Sequence, residues 1–280
     1  MLQNTFCHIP GIGPWAERHL WRSGILSWHD ARGCAALPLA PKQADAVARH
    51  IGESISHLDE DDPVYFTSRL PAGEHWRLFP EFRHSVAYLD IETTGLGGPD
   101  DYITTITVYD GERLRHYVQG DNLFDFRYDV EEYRLLVTYN GKCFDLPFIR
   151  NYFGIPMRQA HIDLRYVLAS LGHRGGLKGC ERQLGLDRGE LADLDGYFAV
   201  LLWFDYINNG NERALETLLA YNALDVVNLA TLMAIAYNRK LADTPFAGSH
   251  RLPVPPPPKL PFRPDLDTIQ RIKQQLGWQV

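Results

Sequence analysis

Between residues 84 and 240 the chain moves repeatedly between two rhythms of apolar and polar positions, the two-residue alternation of strands and the wider spacing of amphipathic helices. Val86–Glu92 is apolar or aromatic at 86, 87, 88, 89 and 91 and reads as a buried strand. Ile103–Tyr109 alternates, Asp110-Gly111 supplies a hairpin turn, and Arg113–Val118 returns. Leu135–Tyr139 is a further buried strand, and Pro147, placed where a first helical turn tolerates it, predicts a helix over Leu146–Phe153. His161–Leu164 reads as a short strand leading into a helix through Leu171, and Leu177–Leu184 as a helix closed by Gly185. Tyr197–Ile207 and Glu212–Tyr237 are expected helices, the second long and apolar on one face. A hairpin followed by alternating strands and helices predicts an α/β fold with a mixed central sheet flanked by helices.

The flanks differ. Residues 1–80 read as a small all-helical module, containing "HIPGIGPWAERHLWRSGILSWHDA", then a proline-punctuated helical stretch, then the acidic run Asp59–Asp62. After residue 240 comes "PVPPPPKLP", a stiff spacer, then an amphipathic tail over Leu266–Leu276. The expected division is therefore 1–80, 84–240 and 241–280.

Composition narrows the function classes. With 280 residues, 45% of them hydrophobic, the chain can bury a sizeable core. A net charge of −7 argues against coating nucleic acid over the whole surface, while leaving room for a local site. Cys7, Cys34, Cys143 and Cys180 are scattered with no CxxC pair, which fits a reducing cytoplasm and neither a disulfide scaffold nor a zinc site. The N-terminus lacks the basic-then-apolar pattern of a leader, and the run Phe198–Phe204 is too short to span a bilayer, so no membrane partner is expected.

The chemistry lies in the carboxylates. In "AYLDIETTG", Asp90 and Glu92 are two apart on a strand and share a face. "YNGKCFD" places Asp145 after a buried strand, where it also suits the start of the Pro147 helix. "AYNALDVVNL" puts Tyr221 and Asp225 at i and i+4 on one helix face, and "HID" places Asp163 at another strand end. Converging acids repel unless a cation joins them. Oxygen-only ligands suit two divalent cations, Mg2+ or Mn2+, that clamp the attacking and leaving oxygens of a phosphodiester.

Asp90-x-Glu92-Thr-Thr-Gly, then Asn140-x3-Phe144-Asp145, then Tyr221-x3-Asp225 resemble the three exonuclease motifs of the DEDD superfamily, in its order. Ala220 stands where the histidine branch has its histidine, so the resemblance is to the DEDDy branch. Within it, residues 84–240 look like the YprB-type ribonuclease H-like exonuclease domain, which is similar to the proofreading domain of B-family polymerases. The resemblance implies a ribonuclease H-like fold and metal-dependent 3′→5′ hydrolysis of nucleic acid, DNA favoured and a single-stranded 3′ end expected, with DNA repair as a setting. It gives Asp90 to both metals, Glu92 and Asp225 to the metal that holds the water, Asp145 to the second metal, and Tyr221 to orientation of the water. Thr93, Thr94 and Gly95 would meet the 3′ end and Asn140 the terminal nucleotide. Lys178, on a segment resembling the Leu-Lys helix of several such enzymes, is either a phosphate contact or a surface lysine. Asp163 is either a neighbour of the site or a helix cap.

The N-terminal "IPGIGPWAERHLWRSGILSWHDA" resembles a helix-hairpin-helix element, in which Gly11 and Gly13 would expose amides to a DNA phosphate. Bulky Trp15 and few basic residues depart from that pattern, and a structural cap is the other reading. Two further functions fit the same residues: a nucleic-acid-binding module with a vestigial metal site, and a ribonuclease H-like structure-specific endonuclease. The Pro-rich tail allows a protein partner.

Overall fold

The computed structural model describes residues 1–277; the last three residues of the expected C-terminal segment, 278–280, lie outside them. Helices α1 (Pro14–Arg22), α2 (Trp28–Gly33), α3 (Pro41–Asp59), α4 (Pro63–Thr67) and α5 (Phe79–Phe82) precede a five-stranded sheet. Its strands are β1 (Val86–Thr93), β2 (Ile103–Tyr109), β3 (Leu114–Val118), β4 (Leu135–Thr138) and β5 (Ala160–Asp163), in the order β3-β2-β1-β4-β5. β1, β2 and β3 form an antiparallel meander; β4 and β5 run parallel to β1. Helices α6 (Phe126–Asp129), α7 (Asp145–Phe153), α8 (Leu164–Ser170), α9 (Gly176–Leu184), α10 (Gly196–Asn209), α11 (Glu212–Leu241) and α12 (Leu266–Gln275) complete the chain. The mixed α/β architecture is the one expected, and its strands and helices α7 to α12 lie within a few residues of those read from the pattern, whereas the pattern does not anticipate α6.

Strand alternation sorts the core. Ala87, Leu89 and Ile91 of β1 face one layer, where Leu146 and Ile149 of α7 cover them. Val86 and Tyr88 face the other layer with Val137 of β4 and Val226 and Tyr237 of α11. That second core is continuous with the N-terminal helices through Phe6, Ile9, Trp28 and Phe66. The 30 residues of α11 are long and apolar enough to cross a bilayer, yet 94% of its most apolar stretch is enclosed by the rest of the fold. Burial on nearly all sides is why its polar residues matter.

The C-terminal segment does not project as a free spacer. Thr231 donates to the Pro255 carbonyl at 3.0 Å, and the Asp265 amide donates to Thr217 at 2.9 Å, so the proline run lies along α11. Asp265 caps α12, whose Ile269 and Ile272 are buried beside Phe198 and Leu202 of α10. His250 and Phe246 return to the chain start: the His250 ring bonds Asn4 Oδ1 at 3.1 Å, and Phe246 meets the Trp21 ring edge-on at 5.4 Å.

Candidate metal centre

β1 outlasts its parallel neighbour. Its pairing with β4 ends at Tyr88 opposite Val137, so its later residues project past the end of β4. Asp90 and Glu92 occupy that overhang and, being two apart, both face α11. Asp225 of α11 meets them: one carboxylate oxygen from each of the three acids lies within 4.8 Å of the others. Glu92 and Asp225 are 8% and 6% exposed, while Asp90 keeps a partial opening to solvent.

Asp145 enters from the opposite layer. After β4 the chain turns so tightly at Gly141 that a Cβ there would stand 2.2 Å from Thr138 Oγ1, which also accepts the Gly141 amide at 3.1 Å. This turn brings Asp145 to the first residue of α7, where its Oδ1 accepts the Ile91 amide of the overhang at 3.2 Å. One carboxylate therefore both closes a strand end and stands beside the acid cluster.

Two asparagines support the cluster from α11. Asn222 donates to Asp90 Oδ2 at 2.7 Å, and its own oxygen accepts from Thr107 at 2.6 Å and Thr105 at 3.3 Å, so its orientation is fixed. Asn228 donates to Glu181 of α9 at 2.7 Å. Glu181 in turn holds Arg188, whose Nη1 reaches both of its oxygens at 3.0 and 2.8 Å, and Arg188 also donates to Asp225 Oδ1. The Arg188 guanidinium lies 5.4 Å from the centre of the Tyr221 ring, and Lys178 Nζ 4.9 Å from it.

The crowding appears as displaced acidities. Burial first, and then Asp145, Glu92 and Asp225, push the Asp90 carboxyl well above the ordinary range. Burial, Asp225 and Asp145 do the same to Glu92. Asp145 is pushed up to about 7 by burial, against the pull of its amide donors. Asp225 rises only to about 6, because Arg188 opposes its burial. Burial together with Asp225 and Glu92 drives the Tyr221 hydroxyl far upward, so Tyr221 stays a neutral phenol. This donor set fits divalent cations. It is all oxygen, and the Glu92 carboxylate has no hydrogen bond among the described residues.

The other expected residues fare differently. Thr93, Thr94 and Gly95 follow Glu92, but their groups are engaged within their own loop. Thr93 donates to the Gly95 carbonyl at 2.6 Å; the Thr94 amide donates to Tyr102 at 3.0 Å, and its hydroxyl accepts the Tyr102 amide. These particular atoms are therefore spent on loop closure, since β1 and β2 must separate at the irregularity between Glu92 and Thr93. Gly95 answers to packing: a Cβ would lie 2.3 Å from Asp101 Oδ1. Asn140, at φ 67°, gives its side-chain oxygen to Arg165. Asp163 acts as the cap of α8 and also accepts the Asn140 and Lys142 amides at 2.8 and 3.1 Å. Lys178 is no plain surface lysine: its Nζ is buried, has no hydrogen-bond partner and leans over Tyr221. Gly11 and Gly13 lie apart, in the exposed turn before α1, with the Gly11 carbonyl accepting from Gln43 at 2.9 Å. All four cysteines are free.

The motif reading missed Arg188, Glu181, Asn222 and Asn228. The asparagines carried a signal, since they stand three residues either side of Asp225 as polar breaks in an apolar helix. Arg188 lies in a loop after α9 with no spacing that marks it.

Comparison with known proteins supplies context. The family model described as the RNase_H superfamily (RNase_H_2) matches residues 87–237. Over 174 residues the chain is 29% identical to the "Uncharacterized protein YprB" of Bacillus subtilis (strain 168), an overlap of 54% of this chain and 41% of that protein. The chain thus spans well under two thirds of that relative's length. Among solved structures, the family B DNA polymerase from the hyperthermophilic archaeon Pyrobaculum calidifontis aligns at a TM-score of 0.43 and 20% identity, over 56% of this chain and 24% of that one.

Proposed function

Because the chain belongs to the RNase H superfamily, we propose that it is a 3′→5′ exonuclease of the DEDDy type acting on nucleic acid, DNA in preference. The observation that carries this reading is the meeting of Asp90, Glu92 and Asp225 within 4.8 Å, beside Asp145 and Tyr221. Asp90, Glu92, Asp145 and Asp225 would hold two divalent cations, Mg2+ or Mn2+, which when bound supply Lewis-acid activation of water and of the scissile phosphate. Tyr221, kept neutral by its acidic surroundings, is suited to orient a water through its hydroxyl. Asn222 holds Asp90 in one orientation for the same purpose. Lys178, buried without a hydrogen-bond partner, is suited to a phosphate oxygen. The exposed turn at Gly11 and Gly13 would offer amides to the nucleic-acid backbone, as part of a helix-hairpin-helix-like segment. In this reading residues 1–80 engage substrate, 84–240 cleave it, and 241–280 brace the long helix.

The test is digestion of 3′-labelled single-stranded DNA and matched RNA with and without Mg2+. Asp90→Ala combined with Asp145→Ala should abolish digestion, and a circular single strand should resist the unaltered protein. Digestion that survives both substitutions refutes the metal site; cutting of the circle refutes the exonuclease.

A further inference from the structure

Arg188 sits within the acid cluster. It is 7% exposed, and Glu181, its anchor on α9, is 0% exposed. The guanidinium spans the two carboxylates, taking both oxygens of Glu181 and one of Asp225. Glu181 is held a second time by Asn228, so the anchor cannot swing away freely. A guanidinium does not deprotonate in proteins, so the positive charge beside Asp225 is permanent. Stability alone is a poor reason to keep it: buried ion pairs are often replaceable by apolar side chains without loss.

We propose that Arg188 is a positioning residue with a second effect: anchored by Glu181, it fixes Asp225 through Oδ1 and weakens the binding of cations to the cluster. The proposal rests on the metal-site reading above. Asp225 Oδ2 is left for a ligand role, while any cation reaching it meets a resident positive charge. Glu181 enters as the opposite charge behind Arg188, and Lys178 adds to the positive side, since Lys178 and Arg188 both flank the Tyr221 ring. The cluster is thereby kept from being so negative that it retains cations too firmly to exchange them. The network also ties α9, its following loop and α11 to one carboxylate.

The sign of the effect can be read without substrate. Mn2+ alone is titrated into the full chain by calorimetry or electron paramagnetic resonance, with the melting temperature of each variant recorded. Arg188→Gln should bind Mn2+ about tenfold or more tighter than the unaltered protein. Arg188→Lys, which keeps the charge, should stay within about threefold of it. Glu181→Gln, which removes the charge behind the guanidinium, should bind more weakly. A purely structural role would shift melting temperatures without these opposite changes in affinity. Binding by Arg188→Gln equal to or weaker than the unaltered protein overturns the proposal. If Arg188→Gln does not fold, unchanged affinity in Glu181→Gln does so. Absence of Mn2+ binding in the unaltered protein and every variant overturns the metal-site reading and this inference together, whereas binding without the predicted differences overturns this inference alone.

Discussion

Glu92→Gln should stabilise the metal-free protein. Glu92 has no hydrogen bond to lose among the described residues, and its oxygen lies within 4.8 Å of oxygens of Asp90 and Asp225. At that separation each like-charge pair costs about 3.5 kcal/mol with an effective dielectric of about 20. Lys178 and Arg188 attract Glu92 and offset part of this. The net gain on neutralising it should be about 2–4 kcal/mol near pH 8. The dependence on pH supplies the sharper test. A carboxyl whose folded acidity is displaced upward contributes stability below its unfolded value of about 4.5 and loses it as pH rises through the folded value. As pH falls towards the unfolded value the folded protein takes up the proton on Glu92 first, so Gln and Glu should approach equivalence on acidification. Urea unfolding of metal-free protein at several pH values measures both. Addition of Mn2+ should stabilise the unaltered protein more than the variant, because binding to the folded state is lost with the ligand. A variant less stable than its parent near pH 8, or an advantage that does not shrink on acidification, would refute the picture of mutually repelling buried carboxylates.

Tyr221→Phe removes only the hydroxyl and should leave Mn2+ affinity unchanged while lowering turnover by about a hundredfold, read by single-turnover digestion; unchanged turnover would make Tyr221 a packing residue. His8 is 2% exposed and held neutral at about 3 by burial, well below its unfolded value of 6.5, so its contribution is present above that unfolded value and is lost as pH falls towards the folded one. Between roughly pH 6 and pH 4 this group alone should cost about 1.4 kcal/mol per pH unit, and His8→Gln should flatten the urea-measured slope by that amount. Equal slopes in the two proteins would show that His8 does not titrate as its burial requires.

Most of the frame was legible because it is written in short-range pattern. The i, i+2 placement of Asp90 and Glu92 could point only one way once 86–92 was a strand, and Tyr221 and Asp225 likewise once their segment was a helix. Pro147 and Gly185 marked real helix ends, with α7 including residue 147 and α9 closing at Gly185. What stayed hidden depends on distance in sequence. Arg188 reaches Asp225 across 37 positions and Asn222 reaches Asp90 across 132, and neither pairing leaves a local mark. The internal hydrogen bonds of the Thr93–Gly95 loop were hidden for a related reason. A Thr-Thr-Gly sequence offers hydroxyls and amides, but the partner of Thr94, Tyr102, stands eight residues on at the far end of the same loop, and only the folded chain brings the two together.

The contact between Asn4 and His250 separates its partners by 246 positions. During synthesis the amino-terminal helices emerge first, and Phe6, Trp28 and Phe66 must wait for β1, α11 and Phe246 before their shared core can close. Folding of this chain is therefore expected to be late and slow on the ribosome, as it is for proteins rich in non-local contacts. The nascent amino-terminal segment would spend that interval as an apolar surface open to chaperones, and a stalled translation product ending before residue 246 would be a client for degradation rather than a weakened form of the folded protein.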